Sequence, residues 1–159
     1  MNVKSDFLNI VLYEPEIPQN TGNIARLCAC LGAKLYLVGR LGFVLSDKYL
    51  KRAGLDYWDK LDIVHVDSLE ELIDKNPDSK FYYFTTKTDK VYTNNTYSQG
   101  DFLVFGPETR GIPEEILNKN NETCTTIPMR KNTRSLNLSN SVAIAAYEAL
   151  RQFNITTLD

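Results

Sequence analysis

Three polar segments of the sequence hold the residues best suited to chemistry. The first, residues 18–26, brings amide side chains and an arginine together around a glycine. The second, residues 106–113, places Glu108 and Arg110 among two glycines and two prolines, a composition that fixes a tight backbone of low conformational entropy. The third, residues 127–141, is crowded with hydroxyl, amide and guanidinium groups ahead of a predicted helix. Such groups beside the unpaired backbone N–H groups of a helix start are suited to holding a polar ligand.

The same sequence disfavours several other kinds of site. No Lys-Ser or Lys-Thr pair follows the second glycine of residues 106–113, and no G-x-G-x-x-G occurs, which argues against a P-loop and against the usual dinucleotide site. Cys28 and Cys30 point to different faces of a predicted helix. With Cys124 and His65 they do not form a convincing set of the about four ligands that zinc needs. We therefore expect no metal, and we expect these four side chains to pack in or near the core.

The charge of the chain is mildly acidic but unevenly distributed. A formal net charge of −2 and an isoelectric point near 5.5 argue against non-specific binding of nucleic acid, which usually needs a basic protein. A local basic site remains compatible with these values. Either basic cluster alone is explained more simply as a solvated surface. The two clusters are Lys48, Lys51 and Arg52, and Arg130, Lys131 and Arg134.

Apolar runs are too short for a membrane protein. Runs such as residues 10–13 and 102–105 fall far below the roughly 20 residues that span a bilayer. The first six residues contain one lysine, and no apolar region with a small-residue cleavage site follows them, so no secretion signal is visible. We expect a cytoplasmic protein without a membrane partner.

Short apolar runs and helical patterns alternate along the chain between the three polar segments. Residues 1–159 have a length typical of one domain. Continuous apolar strands separated by helices predict an α/β fold with a parallel sheet covered on both faces. Ligands bind at the carboxyl ends of the strands in such sheets, which points to the loops after residues 13, 85, 105 and 127. We predict strands at 9–13, 35–38, 62–66, 81–85, 102–105 and 123–127, and helices at 22–31, 46–53, from Ser68 to before Pro77, and at 139–153.

Local signals at the helix ends leave alternatives open. The first helix is expected to be capped by Asn20 or Thr21 and closed by Gly32, and Ser68 forms a capping box with the glutamate three residues later. On these signals alone Asn20 is equally well a plain cap, and Arg26 a plain surface arginine. Residues 128–138 could likewise be only a long entry loop to the last helix.

Three motifs, in order, resemble those of the SPOUT methyltransferases. Within that superfamily the chain is similar to the short tRNA (cytidine/uridine-34) 2′-O-methyltransferases over about residues 9–154. The motifs are Asn20-Thr21-Gly22-Asn23-Ile24-Ala25-Arg26, Phe105-Gly106-Pro107-Glu108-Thr109-Arg110-Gly111, and Ile127-Pro128-Met129 with Ser135-Leu136-Asn137-Leu138-Ser139-Asn140. Two further stretches agree with the narrower group, Tyr13-Glu14-Pro15-Glu16-Ile17-Pro18 and Arg52-Ala53-Gly54-Leu55-Asp56-Tyr57.

The resemblance implies a fold, a donor and a substrate. Members of this family fold as an α/β sheet whose C-terminal segment forms a trefoil knot, and they act as homodimers on the tRNA anticodon stem-loop. S-adenosyl-L-methionine would be the methyl donor, bound in the knot largely by backbone groups and without a metal. The donor-binding residues implied by motif position are Phe84, Gly106, Ile127 and Ser135. The implied catalytic residues are Asn20, Arg26, Glu108 and Asn137.

The reaction implied by the resemblance constrains the role of Arg26. Methyl transfer from a sulfonium to a ribose hydroxyl is an in-line displacement that needs alignment and help with one proton. An arginine is a poor general base because its guanidinium stays charged, so positioning a phosphate or stabilising the developing alkoxide is easier. Two alternatives stand beside this function: a 2′-O-methyltransferase of ribosomal RNA, and a non-catalytic RNA-binding dimer. In the family that the chain resembles, the stretch that corresponds to residues 130–133 is often less basic than it is here.

Overall fold

A computed structural model describes residues 7–46, 48, 52 and 61–158 of the chain. The described strands are β1 (Asn9–Tyr13), β2 (Lys34–Val38), β3 (Ile63–Val66), β4 (Phe81–Phe84), β5 (Phe102–Phe105) and β6 (Cys124–Thr125). The described α-helices are α1 (Pro18–Leu31), α2 (Leu69–Lys75), α3 (Glu114–Lys119) and α4 (Leu138–Gln152), and single 3-10 turns occur at Tyr92–Asn94 and Asn121–Thr123. The predicted basic helix at 46–53 and the motif at 52–57 fall mostly outside the described residues.

The six strands form one parallel sheet in the order β3-β2-β1-β5-β4-β6. In its register Ile10 of β1 lies beside Leu35 on one side and Leu103 on the other. The chain proceeds outward from β1 to β3, and the later strands lie on the opposite side of β1. The order therefore reverses between β1 and β5, the position where ligands bind in open parallel sheets. The predicted α/β class with a parallel sheet is confirmed.

Helices cover both faces of the sheet, as the unbroken apolar strands predicted. On one face α1 and α4 pack over residues such as Ile10 and Leu12, with the small Ala145 and Ala146 of α4 buried in the same cluster. On the other face α2 and α3 pack over the alternate strand residues, including Val11. Within the described residues no helix is long and apolar enough to cross a membrane.

The start of α1 differs from the prediction. The helix begins at Pro18 with Ile17 as its N-cap, because proline lacks the N–H that would be unpaired there and already has a helical φ. Asn20 therefore lies inside the first turn and is not the cap. At the other end Gly32 adopts φ +72° and closes the helix as predicted.

Other boundaries differ for local reasons. α3 was not predicted because six residues are too few for a periodic signal. β6 has two residues, fewer than predicted, although its next residue continues through a single bridge. α4 begins one residue early with Asn137 as its cap. The capping box at Ser68 is confirmed by a hydrogen bond from the Glu71 N–H to the hydroxyl.

The expectation that every cysteine and the histidine pack in or near the core is wrong for two of them. His65 is exposed and lies on β3, the outermost strand on its side of the described sheet, where packing from a neighbouring strand comes from one side only. Its ring Nε2 lies 2.9 Å from the Gly39 carbonyl oxygen. Cys30 is also exposed, on the outer side of α1, whereas Cys28 and Cys124 are buried. Burial raises the pKa of Cys28 to about 12.

The polar connection between β4 and β5 passes along both sides of the β6 segment. The Thr85 N–H donates to the Thr125 carbonyl on one side. On the other side Thr126 donates to the Lys90 carbonyl, and Tyr92 donates to the Thr126 carbonyl, at 2.8 and 2.9 Å. Residues 124–126 are thus held between two parts of the same connection.

Gln152, at the end of α4, fastens this connection to the helix. Its amide nitrogen donates to the Asn95 carbonyl, and its amide oxygen accepts from the Tyr97 N–H, both at 2.9 Å. The Tyr97 hydroxyl in turn donates to the Tyr92 carbonyl at 2.7 Å. The connection is therefore an ordered wall around β6 and not a loose turn.

Replacing Gln152 by alanine is expected to lower the free energy of unfolding by about 1–3 kcal/mol, since it leaves two partly buried backbone groups without partners. Equilibrium unfolding in urea measures this change, with an unchanged denaturant slope. Gln19→Ala, at an exposed position of α1, is the matched control and should change stability by less than about 0.5 kcal/mol. Equal effects of the two substitutions would contradict the role given to Gln152.

Candidate active site

A cavity of about 410 Å³ opens at the carboxyl ends of the strands, within the size range of small-molecule sites. Its walls come from the segments after β1, β4, β5 and β6, which are the four predicted loops. Arg26 is not among the lining residues and is exposed on α1. The other seven predicted site residues all line the cavity: Asn20, Phe84, Gly106, Glu108, Ile127, Ser135 and Asn137.

The loop after β5 folds tightly back on itself at Gly106. A Cβ at this position would overlap the backbone carbonyl carbon of Gly111 and the backbone nitrogen of Ile112. Gly111 takes φ +70°, a left-handed conformation that suits glycine, and its N–H donates to the Pro107 carbonyl at 2.9 Å. The two glycines therefore fix the loop in one shape, with backbone groups forming part of the cavity wall.

Glu108 connects this loop to the start of α1. Its Oε2 accepts the Glu16 N–H at 2.7 Å, and its Oε1 accepts the Ile17 N–H at 3.1 Å. These N–H groups belong to a helix start, where a negative charge is favourable. Each carboxylate oxygen therefore already accepts one backbone hydrogen bond, and Glu108 acts on α1 as well as facing the cavity.

Glu16, just before α1, in turn accepts hydrogen bonds from the loop after β5. Its Oε1 accepts hydrogen bonds from the Thr109 N–H at 2.9 Å and from the Thr109 hydroxyl at 2.7 Å. These bonds hold the pKa of Glu16 below its ordinary value. A pKa lowered by folding stabilises the fold above the unfolded-state pKa, and this contribution is lost as the pH falls through the folded-state pKa. At neutral pH Glu16 is therefore ionised and can accept both hydrogen bonds from Thr109.

Asn20 and Asn137 join the starts of α1 and α4. The Asn137 amide nitrogen donates to the Asn20 amide oxygen at 3.1 Å, and Asn20 is buried. The Asn137 amide oxygen caps α4 by accepting the Asn140 N–H and the Ser139 hydroxyl, at 3.2 and 2.6 Å. One amide thus sets the start of a helix and orients a second amide toward the cavity.

Arg26 lies away from this pair because of helix geometry. Six residues beyond Asn20 correspond to roughly 9 Å of rise and about 240° of rotation along α1. The two residues share a sequence motif, but their side chains leave the helix in different directions. The structure does not bring Arg26 to the cavity of its own chain.

The remaining lining is apolar on one side and charged on the other. Phe84 and Phe105 stack with ring centroids 4.7 Å apart, and both rings are buried in the core behind the apolar side of the cavity. Of the described lining residues, Glu108 is anionic, whereas Lys87 and Arg110 are cationic. Lys87 was not predicted, since only its position shortly after β4 could have indicated it.

Groups that could bind a metal ion do not cluster in the described part of the chain. There, no three or more histidine, cysteine, aspartate or glutamate side chains form such a group. The chemistry that the cavity itself offers is hydrogen bonding by amides and backbone groups, together with two cations. This set can hold a flat, polar ligand and an anionic partner.

Glu108→Gln is expected to lower the free energy of unfolding by about 1–2 kcal/mol, because an amide offers one oxygen where the carboxylate uses two. The amide protons of Glu16 and Ile17 should exchange with solvent faster, as measured by NMR hydrogen exchange. Glu122→Gln, an exposed glutamate of a 3-10 turn, is the matched control. Unchanged exchange at both amides in Glu108→Gln would show that the hydrogen bonds are not formed in solution.

Comparison with known proteins gives consistent matches. The model of the SpoU rRNA Methylase family matches residues 7–147. Over 146 residues the chain is 45% identical to the tRNA (cytidine(34)-2′-O)-methyltransferase of Escherichia coli strain K12, covering 91% of this chain and 93% of that protein. The described fold thus coincides with one continuous match to a single family.

Solved structures agree in fold and differ in length. One solved structure concerns the 2-OH methylation of C/U34 on tRNA. It matches with a TM-score of 0.89 at 43% identity, over 95% of this chain and 99% of that chain. The SpoU methyltransferase AviRb from Streptomyces viridochromogenes, in complex with AdoMet, gives 0.81 at 26% identity, over 96% of this chain and 62% of its own. The first match therefore extends over nearly the whole of both chains.

Proposed function

Since the chain belongs to the SpoU methylase family, we propose that it transfers a methyl group from S-adenosylmethionine to the ribose 2′-hydroxyl of nucleotide 34 in tRNA. The family predicted from the three sequence motifs is thereby confirmed. The observation that carries the proposal is the convergence of seven of the eight predicted site residues on one cavity, in a chain that matches a C34 methyltransferase over 93% of that protein.

The length of the matches favours tRNA over ribosomal RNA as substrate. The chain covers 93% of the Escherichia coli tRNA (cytidine(34)-2′-O)-methyltransferase and 99% of the chain concerned with C/U34 on tRNA. A non-catalytic RNA-binding dimer is disfavoured because the motif residues are present and most of them share the cavity. We therefore keep the tRNA methyltransferase as the proposed function.

The residues present fit the methyl donor. Ile127, backed by the stacked and buried Phe84 and Phe105, offers an apolar surface for an adenine ring, and Ser135 adds a hydroxyl at the rim. The space that a Cβ of Gly106 would need is filled by backbone, so main-chain groups line this wall. S-adenosylmethionine supplies an electrophilic methyl group on a sulfonium, and we propose that no metal takes part.

Asn20 and Asn137 are proposed to align the ribose. Their side chains are hydrogen-bonded to one another at 3.1 Å, so each has a fixed orientation and spare hydrogen-bonding capacity. A hydroxyl held by such amides loses little orientational freedom on reaching the transition state. Glu108 is proposed to position the loop rather than to accept the proton, since both of its oxygens accept backbone hydrogen bonds.

We propose that the chain is a homodimer in which Arg26 serves the cavity of the other subunit. α4 leaves Ile144 and Tyr147 with 37% and 51% of their surface exposed. This helix packs beside α1 on one face of the sheet, and α1 carries Arg26 outside the cavity of its own chain. Contact between these faces would bury the apolar side chains and bring a guanidinium toward a second active site.

We also propose that the C-terminal segment forms a trefoil knot and that the protein is cytoplasmic. The passage of residues 124–126 between two parts of the β4–β5 connection supports a threaded C-terminal segment. The cytoplasm is the proposed location because a tRNA-modifying enzyme must meet its substrate there.

The purified protein is expected to methylate a tRNA transcript at nucleotide 34 when S-adenosylmethionine is supplied. Nucleoside mass spectrometry after nuclease digestion should detect the 2′-O-methyl product, and prior treatment with a chelator should not reduce the yield. A transcript with a 2′-deoxyribose at position 34 is the control and should gain no methyl group. Methylation of ribosomal RNA without methylation of tRNA would refute the proposal.

Mixing two inactive variants is expected to restore activity if Arg26 acts across the dimer. Arg26→Ala keeps an intact donor cavity, and Ile127→Asp keeps Arg26 but places a carboxylate in the donor cavity. A mixed dimer then contains one complete site, giving at most about a quarter of the wild-type rate after random exchange. Single-turnover methylation measures this rate, and each variant mixed with itself is the control. No recovery in confirmed mixed dimers would place Arg26 in the site of its own chain.

A further inference from the structure

We propose that Arg110 binds the RNA backbone phosphate next to the ribose that is methylated, and so positions the substrate. This inference rests on the proposed function. Lys87 and Arg110 are the cationic side chains among the described residues that line the cavity. An RNA substrate brings phosphates to the site, so a lining cation is the group expected to receive one.

The backbone on both sides of Arg110 is fixed. On its N-terminal side Thr109 bonds to Glu16, and Glu108 bonds to the start of α1. On its C-terminal side Gly111 bonds to the Pro107 carbonyl and packs against Gly106. The guanidinium therefore extends from a rigid loop, which reduces the entropy lost when it binds a ligand.

Two carboxylates orient the guanidinium without using up its donors. Arg110 Nη2 lies 3.7 Å from Glu14 Oε1, and its Nε lies 4.0 Å from Glu16 Oε2. Both distances exceed a good hydrogen bond, and the Arg110 side chain remains 62% exposed. Exposed ion pairs of this kind contribute little free energy, so the planar fork of N–H groups stays available for a phosphate.

The backbone of Glu14 supports a functional arrangement at this point. Glu14 takes φ +45°, a left-handed conformation that is uncommon for residues other than glycine and is often found at active sites. Beside it, a Cβ on Gly39 would lie 3.0 Å from Glu14 Cγ. This conformation sets the Glu14 carboxylate near Arg110.

Arg110 belongs to the loop that is hydrogen-bonded to the start of α1, the helix that carries Asn20, whereas Lys87 follows a different strand. The loop of Arg110 is bonded to the start of α1, whose Asn20 pairs with Asn137. Lys87 follows β4, at the donor wall formed by Phe84, and pairs with Glu114 at 3.1 Å. The cation on the ribose side of the cavity is therefore Arg110, and its rigid planar fork suits a phosphate better than a lysine does.

The test measures binding of an anticodon stem-loop RNA by fluorescence anisotropy at several salt concentrations. Arg110→Ala should weaken binding about tenfold and reduce the slope of log affinity against log salt by about 0.7–0.9, the value for one phosphate contact. Arg110→Gln, which keeps N–H donors but not the charge, should lower the slope equally. Arg110→Lys should restore the slope but not the rate of methylation at saturating RNA. Affinity for S-adenosylhomocysteine should stay within about twofold in all three variants.

Lys80→Ala is the matched control. It removes the same charge just before the amino end of β4, whereas the cavity lies at the carboxyl ends of the strands. Its salt slope should equal that of the wild type. An unchanged slope in Arg110→Ala and Arg110→Gln would overturn the inference. A parallel loss of RNA affinity, donor affinity and thermal stability would also overturn it. That result would show that Arg110 serves only to hold the loop after β1 in place. If the wild-type protein binds the RNA but does not methylate it, the proposed function fails, and the salt slopes still decide the inference about Arg110.

Discussion

The reciprocal hydrogen bonds between residues 16–17 and 108–109 hold the two sides of the site together. β1 and β5 are neighbours in the sheet, but the chain leaves them toward opposite sides, so the loops that follow them diverge and open a crevice. Glu108 and Thr109 close its base by pairing with backbone and side-chain groups about ninety residues away in the sequence. Because Asn20 in α1 is paired with Asn137, the same connection also fixes the start of α4.

Several motif residues contribute structure in the places where chemistry was expected. Glu108 satisfies the start of one helix, Asn137 caps another, and Gly106 permits a backbone contact that any larger residue would prevent. Partly buried polar groups need hydrogen-bond partners, and a group whose acceptors are occupied can orient neighbours more readily than it can exchange protons. Under the proposed function, this division leaves the apolar side and the exposed backbone for the donor, and the cations for the RNA.

An acidic chain can act on RNA because the relevant charges are local. At physiological ionic strength exposed charges act over about 8 Å, so the cations at the cavity matter more than the net charge of −2. Arg110 meets this requirement from a rigid loop. The exposed residues 130–134 follow β6 and lead toward the same cavity, and they add positive charge on the side where α4 begins.

The sequence alone predicts the parallel α/β class, the bounds of β1 and β5 and the loops that carry the site, because unbroken apolar runs and turn residues are local signals. It misjudged the start of α1, where Pro18 begins the helix, and the exposure of His65, which depends on β3 being an edge strand. Which motif residues come into contact depends on how the whole chain folds. Asn20 and Asn137 are 117 residues apart but hydrogen-bonded, whereas Arg26, six residues from Asn20, points elsewhere. The order of the strands and the rotation of a helix set these distances, and neither can be deduced from the spacing of residues within a motif.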